Sequence, residues 1–207
     1  MNPLKIYNSL LKKFGKQNWW PVSAKNKRDR QFEICVGAIL TQNTSWRQVE
    51  KAIKNLKNAD ALNENSIRNL DAKKIGLLIK PSGFYNQKAL KLKNFAYFLE
   101  KYNLKKLENM PLNEVRNLLL NVKGIGNETC NSIMLYALNK PCFVIDAYTK
   151  RIFSHMIKKE LKSYEEWQKF FENNLPKDIE IYKEYHALIV ELGKRASKDK
   201  SIISQLF

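Results

Sequence analysis

The sequence predicts an all-α fold. Three observations lead there. Apolar residues recur at helical spacing along most of the chain, no strand–helix–strand alternation is present, and no internal repeat of fixed period interrupts the pattern. With 7 glycines and 6 prolines in 207 residues, and 44% of residues hydrophobic, the composition excludes low-complexity and fibrous classes. A chain of this length buries a real core, in one domain or in two closely packed ones.

Each element follows from the pattern. Leu4, Tyr7, Leu10, Leu11 and Phe14 keep i, i+3, i+4 spacing, which predicts a helix over 3–14. Residues 17–30 read as a loop ending in the charged run KNKRDR. The nearly all-apolar stretch 31–41 reads as a buried helix. Val49, Ile53 and Leu56 give an amphipathic helix over 45–57. Short helices fit 65–70 and 72–79, Pro81-Ser82-Gly83 breaks the pattern, and longer ones fit 86–101 and 111–121. After Gly124-Ile125-Gly126 an apolar helix runs over about 127–138. Asn139-Lys140-Pro141 is a turn and Phe143-Val144-Ile145 a short extended run. Asp146 then precedes a helix over about 147–158, followed by helices over 163–173 and 178–196.

Lys plus Arg number 37 against 20 Asp plus Glu, a net charge of +17. An excess of that size points to a polyanionic partner and to salt-sensitive binding, a solvated basic surface being the plainer reading. KNKRDR at 25–30, KALKLK at 88–93 and KRASKDK at 194–200 support the first. The three cysteines, Cys35, Cys130 and Cys142, show neither paired nor zinc-type spacing, so neither a disulfide framework nor a zinc site is expected. The two histidines, His155 and His186, lie in helical patterns without metal spacing and read as structural. The first residues do not resemble a secretory signal, and no apolar run is long enough to span a membrane, so the expected location is the cytoplasm.

The segment Leu118–Tyr136 (LLLNVKGIGNETCNSIMLY) is helix, tight turn, helix. Gly124 and Gly126 free the backbone from side-chain constraints and let N–H groups approach a phosphate at the start of the second helix. An ordinary helix–helix turn has similar glycines, and the P-loop pattern is absent.

In context, VKGIGNET resembles the helix-hairpin-helix of the endonuclease III superfamily of DNA glycosylases. Ile145, Asp146 and Arg151 match that family's V-D-x-x-x-x-R pattern. GAILTQNTS resembles its first core helix with a glutamine-bearing loop, and IKPSGFYNQKA its segment at the DNA face. The resemblance covers roughly residues 30–195. It implies two helical lobes with a DNA-binding cleft between them: a helical-barrel lobe over 30–140 including the hairpin, and a discontinuous lobe of 1–29 plus 141–207. It implies duplex DNA with a damaged base as the partner, bound by a monomer with no membrane role. Lys123, Gly124, Gly126 and Thr129 are expected at the phosphates. The backbone carbonyls of Leu120, Val122 and Ile125 occupy the positions that hold a monovalent cation in family members.

The same resemblance carries the chemistry. Asp146 is the expected catalytic carboxylate, stabilising a sugar cation or directing water after the base has flipped out, and it reads equally as a helix N-cap. Bifunctional members place a nucleophilic lysine where this chain has Glu128, and Lys123 lies on the wrong side of the turn. A monofunctional enzyme without lyase activity is therefore expected. Three cysteines are too few for the four thiolates of an iron–sulfur cluster, so no cluster and no other cofactor is expected. WWP, LTQNT, KPSGFYNQKA and KGIG-x-E resemble the small bacterial 3-methyladenine branch. Trp19, Trp20, Pro21 and Trp46 are candidates for the base pocket, with a core role as the alternative for the tryptophans. Gln42 and Phe84 are candidate wedges; some members of that branch carry a modified lysine in the last helix, and whether Lys194 is such a lysine stays open. The readings that stay open are a mismatch or oxidised-base glycosylase of the same fold, a non-catalytic hairpin DNA-binding protein and, least supported, an RNA-binding scaffold.

Overall fold

A computed structural model describes residues 2–154, 156–157, 161–199 and 201–204; the regular structure among them is helical, with no strand. The helices are α1 (Pro3–Phe14), α2 (Lys27–Leu40), α3 (Trp46–Asn58), α4 (Glu64–Asn69), α5 (Ala72–Leu78), α6 (Tyr85–Lys101), α7 (Leu104–Asn109), α8 (Leu112–Leu120), α9 (Asn127–Ser132), α10 (Ala147–Phe153), α11 (Tyr164–Asn174), α12 (Ile179–Ala196) and α13 (Ser201–Ser204). The chain divides into two compact units, residues 22–140 and residues 1–21 with 141–207. The first boundary falls at Val22 rather than at residue 30. Backbone N–H groups of Ser23 and Ala24 donate to the buried Glu33 carboxylate at 3.3 and 3.1 Å, tying this stretch to α2.

In the 22–140 unit α2 is the central helix, and every residue from Gln31 to Leu40 is buried. It starts at Lys27, not residue 31, because Asn26 caps it: the Asn26 side chain accepts from Asp29 N at 2.9 Å. A cap inside a charged, exposed turn is invisible to apolar periodicity. Glu33, almost fully buried, is compensated by Lys57 at 2.7 Å as well as by the two amides. The helix α7 was not expected. Its six residues carry only Leu104 and Leu107 inward, and the Asn103 side chain caps it by accepting from Lys106 N at 2.9 Å. Beyond α9 the backbone widens to a π-helix over Ile133–Ala137, with Leu138 N donating to Ile133 O at 3.1 Å.

The other unit is built on α12 and a cluster of rings. Phe143 stacks on Phe171 at 4.4 Å between centroids, and Phe153, Tyr182 and Tyr185 pack edge-on against this pair. The extended run Phe143–Ile145 is fully buried yet pairs with no strand. Two of its amides are satisfied by side chains instead: Phe143 N donates to Glu172 Oε1 at 2.8 Å and Ile145 N to the Tyr164 hydroxyl at 3.1 Å. The helix expected over 147–158 ends at Phe153; residues 155 and 158–160 lie outside the described ones, and with them the expectation for His155.

Tyr148 packs against α12 at Gly193, where an added Cβ would come within 2.1 Å of Tyr148 Cδ1. Helix propensity alone favours alanine over glycine there. We expect Gly193→Ala to destabilise the protein by about 1–3 kcal/mol in denaturant unfolding, and Tyr148→Ser to relieve most of that loss in the double variant.

Candidate active site

The hairpin lies between α8 and α9, anchored by the buried side chains of Val122 and Ile125 and closed by Ile125 N donating to Val122 O at 3.0 Å. Gly124 is required twice over. Its φ of 100° is strained for other residues, and an added Cβ would lie 2.4 Å from Lys91 Cγ. Gly126 is different: it is extended (φ −97°, ψ −179°) and a Cβ there would meet only open space. The expectation that both glycines serve backbone angles is thus corrected for Gly126, whose missing side chain leaves the start of α9 clear. Lys123 is exposed, and its carbonyl accepts from Asn94 Nδ2 at 3.1 Å.

Thr129, expected at a phosphate, is buried and accepts from Gln42 Nε2 at 2.9 Å. The same Nε2 donates to Gly124 O at 3.1 Å, and Gln42 Oε1 accepts from Lys91 Nζ. Gln42 is therefore a strut from the α2–α3 loop to the hairpin rather than a free wedge; filling a vacated base position would require breaking these bonds. Phe84 fits the wedge expectation better. Its ring is 62% exposed on a left-handed residue (φ 46°) after Gly83 (φ 68°), so a helix-stapling role does not account for it.

Lysines hold this region together. Lys88 is 1% exposed and donates to Leu40 O at 2.8 Å, ending α2, and to Ser82 O at 2.6 Å, in the turn before Phe84. Lys93 Nζ donates to Arg68 O and Leu70 O, both at 2.6 Å. The segment KALKLK is thus internal bracing, not a polyanion patch. In KNKRDR, Lys27 pairs with Glu108 and Arg28 with Glu64. The sequence held a signal for Lys88, which falls in register with the buried Leu92, Phe95 and Leu99 of α6.

Asp146 is the N-cap of α10 and is buried, 9% exposed. Its Oδ1 accepts from both Thr149 N and Thr149 Oγ1 at 2.7 Å. Its Oδ2 faces His186 Nε2 at 3.7 Å, an electrostatic contact too long for a hydrogen bond. Burial by itself would raise the carboxyl pKa, but the His186 imidazole and the two Thr149 donors outweigh it and hold Asp146 below the ordinary carboxylate range. The carboxylate is therefore ionised at neutral pH with one oxygen uncommitted to the cap. Trp19 meets His186 edge-on at 6.0 Å and Trp20 at 5.9 Å, and Lys194 Nζ lies 5.5 Å from the Trp19 ring centre. Glu184 of α12 accepts from the backbone N–H groups of Gln17 and Asn18, fixing the approach to these tryptophans. Neither Glu184 nor the His186 contact was legible beforehand, since both join residues far apart in sequence. Pro21 is exposed, and Trp46 of the 22–140 unit donates its Nε1 to Glu50 Oε1 at 2.9 Å, one turn along its own helix.

Glu128, at the position of the nucleophilic lysine, is exposed. Cys35, Cys130 and Cys142 are buried free thiols, and burial pushes the Cys35 pKa up and that of Cys130 to about 11. Among the described residues no group of three His, Cys, Asp or Glu is placed to hold a metal ion. The hairpin carbonyls of Leu120, Val122 and Ile125 are an oxygen-only set, which suits a hard cation. Val122 O keeps a second lone pair beside its bond to Ile125 N.

This geometry agrees with three comparisons. The profile of the HhH-GPD superfamily base excision DNA repair proteins matches residues 36–177. A protein of Methanocaldococcus jannaschii named "Putative DNA repair glycosylase" is 49% identical over 204 residues, 96% of this chain and 90% of that one. The crystal structure of Helicobacter pylori 3-methyladenine DNA glycosylase (MagIII) bound to 1,N6-ethenoadenine superposes with a TM-score of 0.80 at 30% identity, over 94% of this chain and 98% of that one. The chain belongs to the HhH-GPD superfamily and is a DNA glycosylase of base-excision repair.

Lys88 provides a pH test of the bracing. Burial, with Lys91 nearby, lowers its pKa from 10.5 to about 8. Between those values the unfolded chain binds the proton and the folded one does not, so this group's contribution to stability increases as pH rises from about 8 to 10.5. Unfolding free energies measured across that window should show the slope in wild type and lose it in Lys88→Met.

Proposed function

We propose that the protein is a monofunctional glycosylase that flips alkylated purines, 3-methyladenine foremost, out of duplex DNA and hydrolyses the glycosidic bond, acting as a monomer. The observation that carries this reading is the ionised, buried Asp146 with one oxygen left over from capping α10. Cleavage of the glycosidic bond leaves positive charge on the sugar, and a fixed carboxylate in a desolvated site stabilises that charge or directs the attacking water.

Likeness to the Helicobacter enzyme over nearly its whole length supports the choice of base. The chemistry of the pocket candidates supports it as well: the faces of Trp19 and Trp20 attract a cationic base, and an alkylated purine is already a good leaving group. Exposed Phe84 takes the place between bases that offsets unstacking. Glu128 has no amine with which to form an imine, so water is the nucleophile. A monovalent cation at the hairpin carbonyls of Leu120, Val122 and Ile125 supplies positive charge for a phosphate when bound, alongside Lys123 and the open start of α9 at Gly126.

Base release from methylated duplex DNA tests this directly. Wild type should liberate free 3-methyladenine. Asp146→Asn should be slower by on the order of a hundredfold or more with DNA binding retained. Release of another lesion instead would redirect the specificity, and undiminished release by the variant would end the catalytic reading of Asp146. Borohydride should trap no covalent protein–DNA adduct; a trapped adduct would refute the monofunctional mechanism.

A further inference from the structure

His186 sits where it can govern the carboxylate. It is 5% exposed, on α12, with Nε2 3.7 Å from Asp146 Oδ2, the oxygen that Thr149 does not occupy. Its ring also meets Trp19 edge-on. One imidazole therefore touches both the carboxylate and an aromatic face of the proposed base pocket.

We propose that His186 is a positioning residue and pH gate for Asp146: neutral, it leaves Oδ2 available to the sugar cation; protonated, it pairs with Oδ2 and withdraws that charge. Imidazole is the side chain whose charge changes near neutral pH. At 3.7 Å the two groups are within range of a strong charge pair in a desolvated site but are not yet hydrogen-bonded, so protonation has an interaction to gain. An imidazolium against Trp19 also opposes a cationic base on that ring, so both effects slow release in acid. Glu184 holds the Gln17 and Asn18 amides, Arg151 donates to Gly193 O and Ser197 Oγ, and Arg195 pairs with Glu191. Lys194 stands over the Trp19 ring, and α1 contributes Tyr7 against Tyr185.

The proposal rests on Asp146 being the catalytic carboxylate, and the experiment separates the two. The chain has two histidines, so its imidazole NMR signals are few, and those of His186 are assigned by their loss in His186→Gln. Imidazole titrations of the full-length wild type and Asp146→Asn would be paired with single-turnover release of 3-methyladenine against pH for wild type and His186→Gln. This base carries its charge without a proton that titrates in the same range. We expect Asp146→Asn to move the His186 midpoint to lower pH. The wild-type rate should fall about tenfold per pH unit on the acid side of that midpoint, and His186→Gln should lack this limb. An unmoved midpoint, or an acid limb persisting in His186→Gln, overturns the gate. Undiminished release by Asp146→Asn overturns the catalytic reading of Asp146 instead, even where the two groups prove coupled. If His186→Gln does not fold, the midpoint comparison together with the pH profile of His186→Asn decides the matter.

Discussion

The constraint on which this structure depends is the termination of short helices. Each helix end leaves backbone N–H or C=O groups without intrahelical partners, and burying them unpaired costs about 1–3 kcal/mol each. Helices of six or seven residues, such as α4, α5, α7, α9 and α10, are almost all ends. The chain answers at the amino-terminal ends with Asn26, Asn63, Asp71, Asn103, Asp146, Ser163 and Asp178, whose side chains all accept from first-turn amides. At carbonyl ends it uses lysines. Lys88 takes Leu40 O and Ser82 O, Lys93 takes Arg68 O and Leu70 O, and Lys140 takes Glu108 O and Met110 O.

That solution has consequences for the charge. A large lysine excess suggests a nucleic-acid surface, and part of it is instead structural: Lys88, Lys93 and Lys140 face inward to carbonyls, and Lys91 holds Gln42. The lysines of KALKLK are therefore turned to the fold's own carbonyls and to Gln42, whereas Lys123 beside the hairpin is exposed. The bracing also explains why the hairpin and the turn carrying Phe84 in the 22–140 unit are so well fixed. Gln42, Lys91, Gly124 and Thr129 form one junction, and Lys88 links the end of α2 to the turn that presents Phe84. Gly124 is indispensable to the junction because Lys91 occupies the space where its side chain would be.

Much of this was legible in the sequence, and what was not has a common cause. Helical class, most helix positions, the hairpin and Asp146 follow from periodicity, paired glycines and a family pattern, all local signals. The start of α2 and the whole of α7 were missed because their information lies in asparagine caps within charged turns, where apolar spacing is silent. Gln42 as a strut, the buried Thr129 and the partnership of Asp146 with His186 are long-range facts. Residues 42 and 129, or 146 and 186, carry no mark in the sequence that they meet. Lys88 is the exception, since a lysine in register with Leu92, Phe95 and Leu99 announces itself as buried.

Asp146 unites the structural constraint with the chemistry. A carboxylate in a desolvated site normally takes up a proton, which would make it useless against a developing cation. Here the His186 imidazole and the donors that terminate α10 together keep the group ionised: His186 faces Oδ2, and Thr149 N and Oγ1 both bind Oδ1. Ending a seven-residue helix thus contributes to keeping a buried anion. Because capping occupies a single oxygen, the other is uncommitted to the helix and faces His186. This also fixes how the site can be dissected. Asparagine caps a helix about as well as aspartate, so exchanging one for the other removes the charge while leaving α10 in place. A loss of activity in that exchange belongs to electrostatics rather than to a frayed helix.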